Sequence, residues 1–325
     1  MTRELLLLRH GKSDWSKPVS DFQRPLKKRG KLGAQRIGDW LAEYELVPQR
    51  ILSSPAERAR ATAEKCAKAM GRTAAEVTLE PSLYEADAEE LARLVAASGD
   101  EVERLMVVGH NPALEEFADW LLPDPLPEGD DGKRLPTATL VRLAVEGSWS
   151  SLTAGNARLL EVQRAKTLPE GFVFATPDGI ERRPRPAYYY TQSAVMPFRW
   201  RDGQLEVLLI GSSSNRHWSL PKGIVEPGLS AAQSALKEAR EEAGISGEIA
   251  EVTPGHYPHA KWGARCGVTL FAMRVDDQLP EQHREEPQRT RRWLPAAAAT
   301  EHLEQPSLVV ELRSLIERLQ AEGPA

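Results

Sequence analysis

Long apolar runs are missing from this chain. In 325 residues nothing approaches the ~20 consecutive apolar residues that a membrane helix needs, and the four leucines 5–8 run straight into Arg9 and His10. The same brevity leaves no secretory h-region at the amino terminus. Cysteine is scarce: Cys66 and Cys266 are the two, far apart and without metal-ligand spacing. That usage fits a reducing compartment and not a disulfide scaffold. Basic excess is lacking too, since 42 Lys and Arg stand against 47 Asp and Glu for a net charge of −5. Nothing therefore marks a nucleic acid polymer as partner. A cytoplasmic protein with no membrane association is expected. What remains is globular composition, 41% apolar and 27% charged, with no internal repeat and enough length for two domains.

The first half alternates strand-like and helix-like segments. Residues 4–8 read as a strand covered on both faces. Residues 25–44 read as an amphipathic helix, with Leu32, Ile37, Trp40 and Leu41 near helical spacing. RILSSP and ERLMVVGHNP are further strands entering loops, each followed by a helical pattern. Such repetition predicts a mostly parallel sheet wrapped by helices. A stretch rich in proline and arginine, TLPEGFVFATPDGIERRPRPA, then reads as a linker. Beyond it come the strands YYYTQSAVMPF, QLEVLLIG, CGVTLFAMRV and RRWLP, the helix SAAQSALKEAREEAG, and a closing helix near 308–319.

In an open α/β sheet the loops at the carboxyl ends of the strands share one crevice. Three such ends deliver Arg9 with His10, Arg58, and His110. Two guanidiniums and two imidazoles together call for an anion. A phosphoryl group suits them, because arginine forks match its oxygens and a neutral imidazole can attack phosphorus. LLLLRHGKSDW, SSPAERARAT and VVGHNP together resemble the histidine phosphatase superfamily, and DFQRPLKKRG and LPTATLVRL resemble its compact bacterial phosphohistidine phosphatase branch, the SixA type. The resemblance implies that His10 is transiently phosphorylated, that Arg9 and Arg58 hold the phosphoryl oxygens, and that His110 completes the pocket without a metal. Asn111 is a further candidate for substrate binding. Glu85 and Asp21 are candidates for the general acid.

On the later helix, Glu238, Glu241 and Glu242 stand at i, i+3 and i+4, which places them on one helical face. Carboxylates so crowded repel one another unless a cation joins them, and Mg²⁺ takes hard oxygen ligands. KGIVEPGLSAAQSALKEAREEAGI resembles the Nudix box, Gly-x5-Glu-x7-Arg-Glu-U-x-Glu-Glu-x-Gly-U with U aliphatic. Leu229 stands where the box has its first Glu and Lys237 where it has Arg, a double change that reads as one lost ion pair, with the Lys237 stem over Leu229. The resemblance implies Mg²⁺ or Mn²⁺ on Glu238, Glu241 and Glu242, with Glu241 and Glu242 central to turnover. WSLPKG is similar to members acting on diadenosine or diphosphoinositol polyphosphates, with Lys222 as a phosphate contact. Glu285 is a candidate for an added ligand or base.

The sequence thus predicts two α/β domains in one chain. The first is a three-layer α/β/α histidine phosphatase domain over 1–165, followed by a linker over 166–187. The second is an α/β/α Nudix domain with a mixed sheet over 188–320. The expected protein is a bifunctional hydrolase of phosphorus bonds, needing Mg²⁺ or Mn²⁺ in its second domain alone. Its expected partners are a phosphorylated small molecule, a nucleotide or a phosphohistidine protein. The alternative is a regulatory protein whose Nudix domain binds a nucleotide without hydrolysing it.

Overall fold

The structure, a computed structural model, describes residues 2–212 and 216–323. They fall into two compact units, Met1–Pro186 and Ala187–Ala325. In the first unit β1 (Thr2–Arg9), α1 (Lys28–Glu43), β2 (Arg50–Ser53), α2 (Glu57–Ala69), β3 (Val77–Leu79) and α3 (Ala88–Ala96) come in turn. Then follow β4 (Arg104–Gly109), α4 (Ala113–Leu121), β5 (Thr139–Glu146) and β6 (Ala157–Arg164). The strands join in the order β3-β2-β4-β1-β5-β6. β1 to β4 run parallel, β5 runs antiparallel to β1, and β6 runs antiparallel to β5.

Strand β1 lies inside this sheet, between β4 and β5, and its leucine run answers to that position. Leu5 and Leu7 enter one core with Phe117 and Trp149, while Leu6 and Leu8 enter the other with Ile37, Trp40 and Cys66. All four are wholly buried, each contributing ~1.5–3 kcal/mol relative to an exposed side chain. Helices α1 and α2 cover one face and α3 and α4 the other, which gives three layers. Burial pushes the Cys66 thiol up to about 12, so this cysteine is a core side chain.

The stretch expected as a linker holds a hairpin of β7 (Phe172–Thr176) and β8 (Gly179–Arg183) within the first unit. Its turn, Thr-Pro-Asp-Gly, is a hairpin signal, with Gly179 at φ 128°. The hairpin is tied to α1 by Val173 N–H donating to Asp39 at 3.1 Å and by Arg182 pairing with Glu43 at 3.1 Å.

The second unit opens with β9 (Thr191–Arg201), β10 (Gln204–Gly211), β11 (Trp218–Ser219), β12 (Lys222–Ile224) and α5 (Ala231–Glu238). It continues with β13 (Ile245–Ile249), β14 (Gly255–Lys261), β15 (Ala264–Gln278), β16 (Arg291–Pro295), α6 (Ala296–Glu301) and α7 (Pro306–Glu322). Its sheet runs β11-β10-β9-β15-β13, with β12 on β9, β14 on β15 and β16 on β10. The sheet is mixed, since β9 and β15 are parallel and the other pairs antiparallel. α5 packs on one face through Ala235, and α7 covers the other through Leu308, Leu312 and Leu315. Among the described residues no helix is long and apolar enough to cross a membrane.

Two glycines fix the loop after β1. Lys27 N–H donates to the Lys12 carbonyl at 2.8 Å, which brings the start of α1 against the backbone of Gly11 and Lys12. A Cβ on Gly11 would stand 2.6 Å from the Gly30 carbonyl oxygen, and one on Gly30 would run into the Lys12 carbonyl. Gly30→Ala is therefore expected to cost ~1–3 kcal/mol, the usual cost of overpacking. Urea denaturation checks this, and an unchanged midpoint would contradict the close approach.

Candidate active sites

Because β2, β4 and β1 are neighbours, their carboxyl ends present Ser54, His110 and His10 side by side. His10 N–H donates to the Gly109 carbonyl at 3.1 Å and Ser54 N–H to the Val108 carbonyl at 3.0 Å. Arg58 enters from the first turn of α2. The expected Arg9, His10, Arg58 and His110 are thus brought together, with the two imidazole centroids 5.1 Å apart. His10 is 8% exposed and Arg58 6% exposed, so both are buried.

His10 Nδ1 lies 2.8 Å from the carbonyl oxygen of Gly11. A carbonyl only accepts, so Nδ1 carries the ring proton and Nε2 is left with its lone pair. Burial pushes the His10 pKa down to about 3, and His110, Arg58 and Arg9 add to this against the Gly11 carbonyl. His110 is pushed down to about 4, by burial first and then by Arg58. Its Nε2 lies 2.8 Å from Ser54 Oγ, and its buried Nδ1 has no partner. Both rings are neutral at ordinary pH.

The remaining candidates take distinct places. Arg9 donates to the Leu135 carbonyl at 2.7 Å. The Asn111 amide donates to Glu115 at 2.7 Å and to the same Leu135 carbonyl at 3.2 Å, which spends its donors within the protein. Asp21 Oδ2 lies 2.8 Å from Arg58 and accepts from the Tyr84 hydroxyl at 3.0 Å, while Oδ1 pairs with Arg24. Burial works to raise the Asp21 pKa, yet Tyr84, Arg58 and Arg24 together hold it below the usual carboxylate range. In this arrangement Asp21 is a counter-ion to Arg58. Glu85 is exposed and lines a cavity of about 250 Å³ with His110 and Asn111.

In the second unit the expected α-helical face is interrupted. The helix α5 starts at the N-cap Ser230, but Ala239–Ala243 form a π turn that Gly244 ends at φ 62°. Glu241 and Glu242 therefore leave the α register of Glu238. Glu242 Oε2 accepts from Lys222 N–H at 3.0 Å, and Oε1 accepts from Arg289 at 2.6 Å. The Glu238 carboxyl group occupies the space where Gly223 would carry a Cβ, so a larger residue there would displace that carboxylate. Glu241 lies 3.6 Å from the Lys237 ammonium. The ion pair expected to be lost is present in another form: Lys237 reaches Glu226 at 2.9 Å, three residues before Leu229, with its side chain still 40% exposed.

Burial, then Glu242 and Glu241, push Glu238 up to about 7. Burial raises Glu242 too, against the Lys222 N–H and Arg289. Among the described residues no three His, Cys, Asp or Glu side chains form a cluster able to hold a metal. The donor set nevertheless fits a hard divalent cation, since Glu238 and Glu242 are half-buried and the Glu242 charge opposes ionisation of Glu238. Mg²⁺ commonly takes one or two carboxylates and completes its shell with water and substrate phosphates. Burial pushes Lys222 down to about 8, with Lys261 adding to the effect and Glu242 opposing it. Glu285 is exposed, whereas Glu286 pairs with Arg289.

Several participants were not singled out from sequence. Tyr84 and Ser54 act through hydrogen bonds to side chains distant in the chain, which one sequence does not display, while Glu115 accepts from Asn111 four residues before it. Glu226 sits in the quoted KGIVEPG stretch, and its offset of three from Leu229 was the available signal.

The histidine phosphatase superfamily (branch 1) model matches residues 5–105 and the NUDIX domain model matches residues 190–319. An uncharacterized protein of Mycobacterium tuberculosis is 31% identical over 158 residues, 47% of this chain and 96% of that protein. An uncharacterized chloroplastic protein of Arabidopsis thaliana is 35% identical over 130 residues, 37% of this chain and 60% of that protein, so the chain spans less than two thirds of this relative. The asymmetrical bis(5'-nucleosyl)-tetraphosphatase of Sus scrofa is 34% identical over 94 residues, 28% of this chain and 64% of that enzyme. The chain thus belongs to two hydrolase families, the histidine phosphatase superfamily through its amino-terminal unit and the Nudix family through its carboxyl-terminal unit.

Proposed function

We propose that residues 1–165 form a metal-independent phosphatase working through a phosphohistidine on His10. In the same proposal residues 188–320 form a pyrophosphohydrolase dependent on Mg²⁺ or Mn²⁺. The observation that carries the first half is the neutral, oriented imidazole of His10 among buried cations. Its Nε2 attacks phosphorus, a phosphorus–nitrogen bond forms, and the bond to the leaving oxygen breaks. Arg9 and Arg58 hold the phosphoryl oxygens, Arg58 exchanging its Asp21 counter-ion for them. The leaving oxygen takes a proton from Glu85 or water. The phosphoimidazolium keeps its Nδ1 proton on the Gly11 carbonyl, and water then displaces the ring, giving dihydrogen phosphate and neutral His10. The phosphoryl donor is a small phosphate ester or a phosphohistidine protein, the leaving atom in the latter being a ring nitrogen instead of an oxygen.

For the second domain, the name of the pig relative favours a dinucleoside polyphosphate, and a diphosphoinositol polyphosphate is the other type in view. Glu238 and Glu242 would hold the cation, with Glu241 beside them, and the cation supplies Lewis-acid polarisation of a phosphate. The chain's own part is to keep Glu242 fixed between Lys222 N–H and Arg289 and to offer Lys222 to a phosphate. The Arg289 contact on Glu242 also favours a second reading, a nucleotide sensor. A nucleotide panel with Mg²⁺ separates the two, because a sensor binds tightly and releases no phosphate.

The activities are expected to part by residue and by metal. His10→Ala should abolish hydrolysis of an aryl phosphate and leave Mg²⁺-dependent pyrophosphate cleavage intact, and EDTA should do the reverse. Loss of both activities to EDTA would overturn the metal-free assignment.

The pH profile follows from His10. The pKa lowered to about 3 keeps the nucleophile unprotonated far below the ordinary 6.5, so kcat/KM for an aryl phosphate should show no acid limb near 6.5 from this ring. A limb there that persists when phosphoenzyme formation itself is followed would place an ordinary histidine at the nucleophile position, against the buried geometry.

The loop preceding α5 provides another prediction. Lys237→Gln should lower pyrophosphohydrolase kcat/KM by about tenfold, or ~1.4 kcal/mol of barrier, by freeing Glu226. Leu229→Glu should change it by less than about threefold, under ~0.7 kcal/mol, because Lys237 already has its partner. A large gain from Leu229→Glu would show that the Glu226 pair does not serve in its place.

A further inference from the structure

A cleft of about 380 Å³ opens in the first unit beside the His10 loop. Lys12, Arg29, Arg36, Lys133, Arg164 and Lys166 line it, and no acidic residue does. Asp131 alone among the described residues pairs with any of them, at 2.7 Å from Arg164 and 3.1 Å from Lys166. Like charges held this close repel one another, so the cleft is a place where bound anions would be stabilised. Thr139, 1% exposed, lies in the lining with its buried hydroxyl unpartnered.

Topology fixes where the cleft lies. Strand β5 is antiparallel to β1, so it starts at the end of the sheet where β1 delivers Arg9 and His10. Ala138 N–H, just before β5, donates to the carbonyls of Arg9 and His10 at 3.2 and 3.1 Å. Thr139 is paired across to Arg164, the last residue of β6. Helix α1 adds Arg29, Gly33 and Arg36 from one face, at spacings of four and three. Gly33 offers no side chain there, and a Cβ on it would meet Ala138 at 3.0 Å. The catalytic loop and the cationic cleft are thus neighbours on one rim of one sheet.

We infer that the phosphatase site takes a polyphosphorylated compound, whose non-reacting phosphates rest in this cleft while one phosphoryl group reaches His10. The inference rests on the phosphatase reading above and adds the substrate class. Arginine and lysine divide the work: the fork of Arg29 suits phosphate oxygens in pairs and Lys133 acts as a point charge, while Arg164 and Lys166 are already paired with Asp131. A monophosphate would use the His10 pocket alone.

The test uses the full chain in EDTA, with inorganic tripolyphosphate and orthophosphate as probes. Tripolyphosphate should inhibit aryl phosphate hydrolysis competitively and more tightly than orthophosphate. In the Arg29→Gln/Lys133→Gln double variant its inhibition constant should rise by about tenfold, or ~1.4 kcal/mol, while that of orthophosphate stays put. Calorimetric binding of tripolyphosphate to His10→Ala should show the same loss on adding the double change, which reads the cleft even if the phosphatase reading fails. Equal inhibition by the two probes, an unchanged tripolyphosphate constant in the double variant, or noncompetitive inhibition through a separate regulatory site would each overturn the inference. Failure of the phosphatase reading itself would appear as no aryl phosphate hydrolysis by the parent chain.

Discussion

A carbonyl oxygen can only accept a hydrogen bond, and the 2.8 Å contact from Gly11 to His10 Nδ1 turns that fact into chemistry. It assigns the tautomer, aims the Nε2 lone pair, and holds the ring whether or not phosphorus is attached. The rest of the first unit supports that contact. The buried leucines of β1 hold the strand in the centre of the sheet, α1 backs onto Gly11 through Gly30, and the ends of β2 and β4 set Ser54 and His110 beside the ring. Burial in a cationic pocket then keeps both imidazoles neutral.

Both units manage crowded like charge with counter-ions drawn from the chain itself. In the first, Asp21 sits on Arg58 and Arg24. In the second, Arg289 sits on Glu242 and Lys237 links Glu226 to the vicinity of Glu241. Of these, Arg289 and Glu242 are the pair shielded on both sides, and removing one would strand the other's charge. The Nudix box, lacking its usual Glu and Arg, still has an ion pair. The turn supplies Glu226 in place of position 229, and lysine keeps the charge that arginine would carry.

The sheet of each unit was legible because apolar runs and strand–loop–helix alternation report burial directly. The convergence of Arg9, His10, Arg58 and His110 was legible as well, since strand ends of a parallel sheet meet by topology. Less visible were features set by geometry between distant residues. Nothing in AREEAG announces a π turn, although within it Glu241 and Glu242 stay close enough to Glu238 to raise its pKa. The commitment of Asp21 to Arg58 depends on how the loop after β1 folds back. The hairpin within 166–187 was masked by its prolines and arginines, although Pro-Asp-Gly between two β-prone runs was there to be read.

The central claim is that His10 reacts through Nε2 while Nδ1 stays on the Gly11 carbonyl. Brief reaction with a labelled phosphate ester, followed by an alkaline quench that preserves phosphorus–nitrogen bonds, and then by peptide mapping and NMR of the ring, tests it most directly. The account predicts label on His10, bonded at Nε2. Label on Ser13, Ser53 or Ser54, or on His10 at Nδ1, would contradict it.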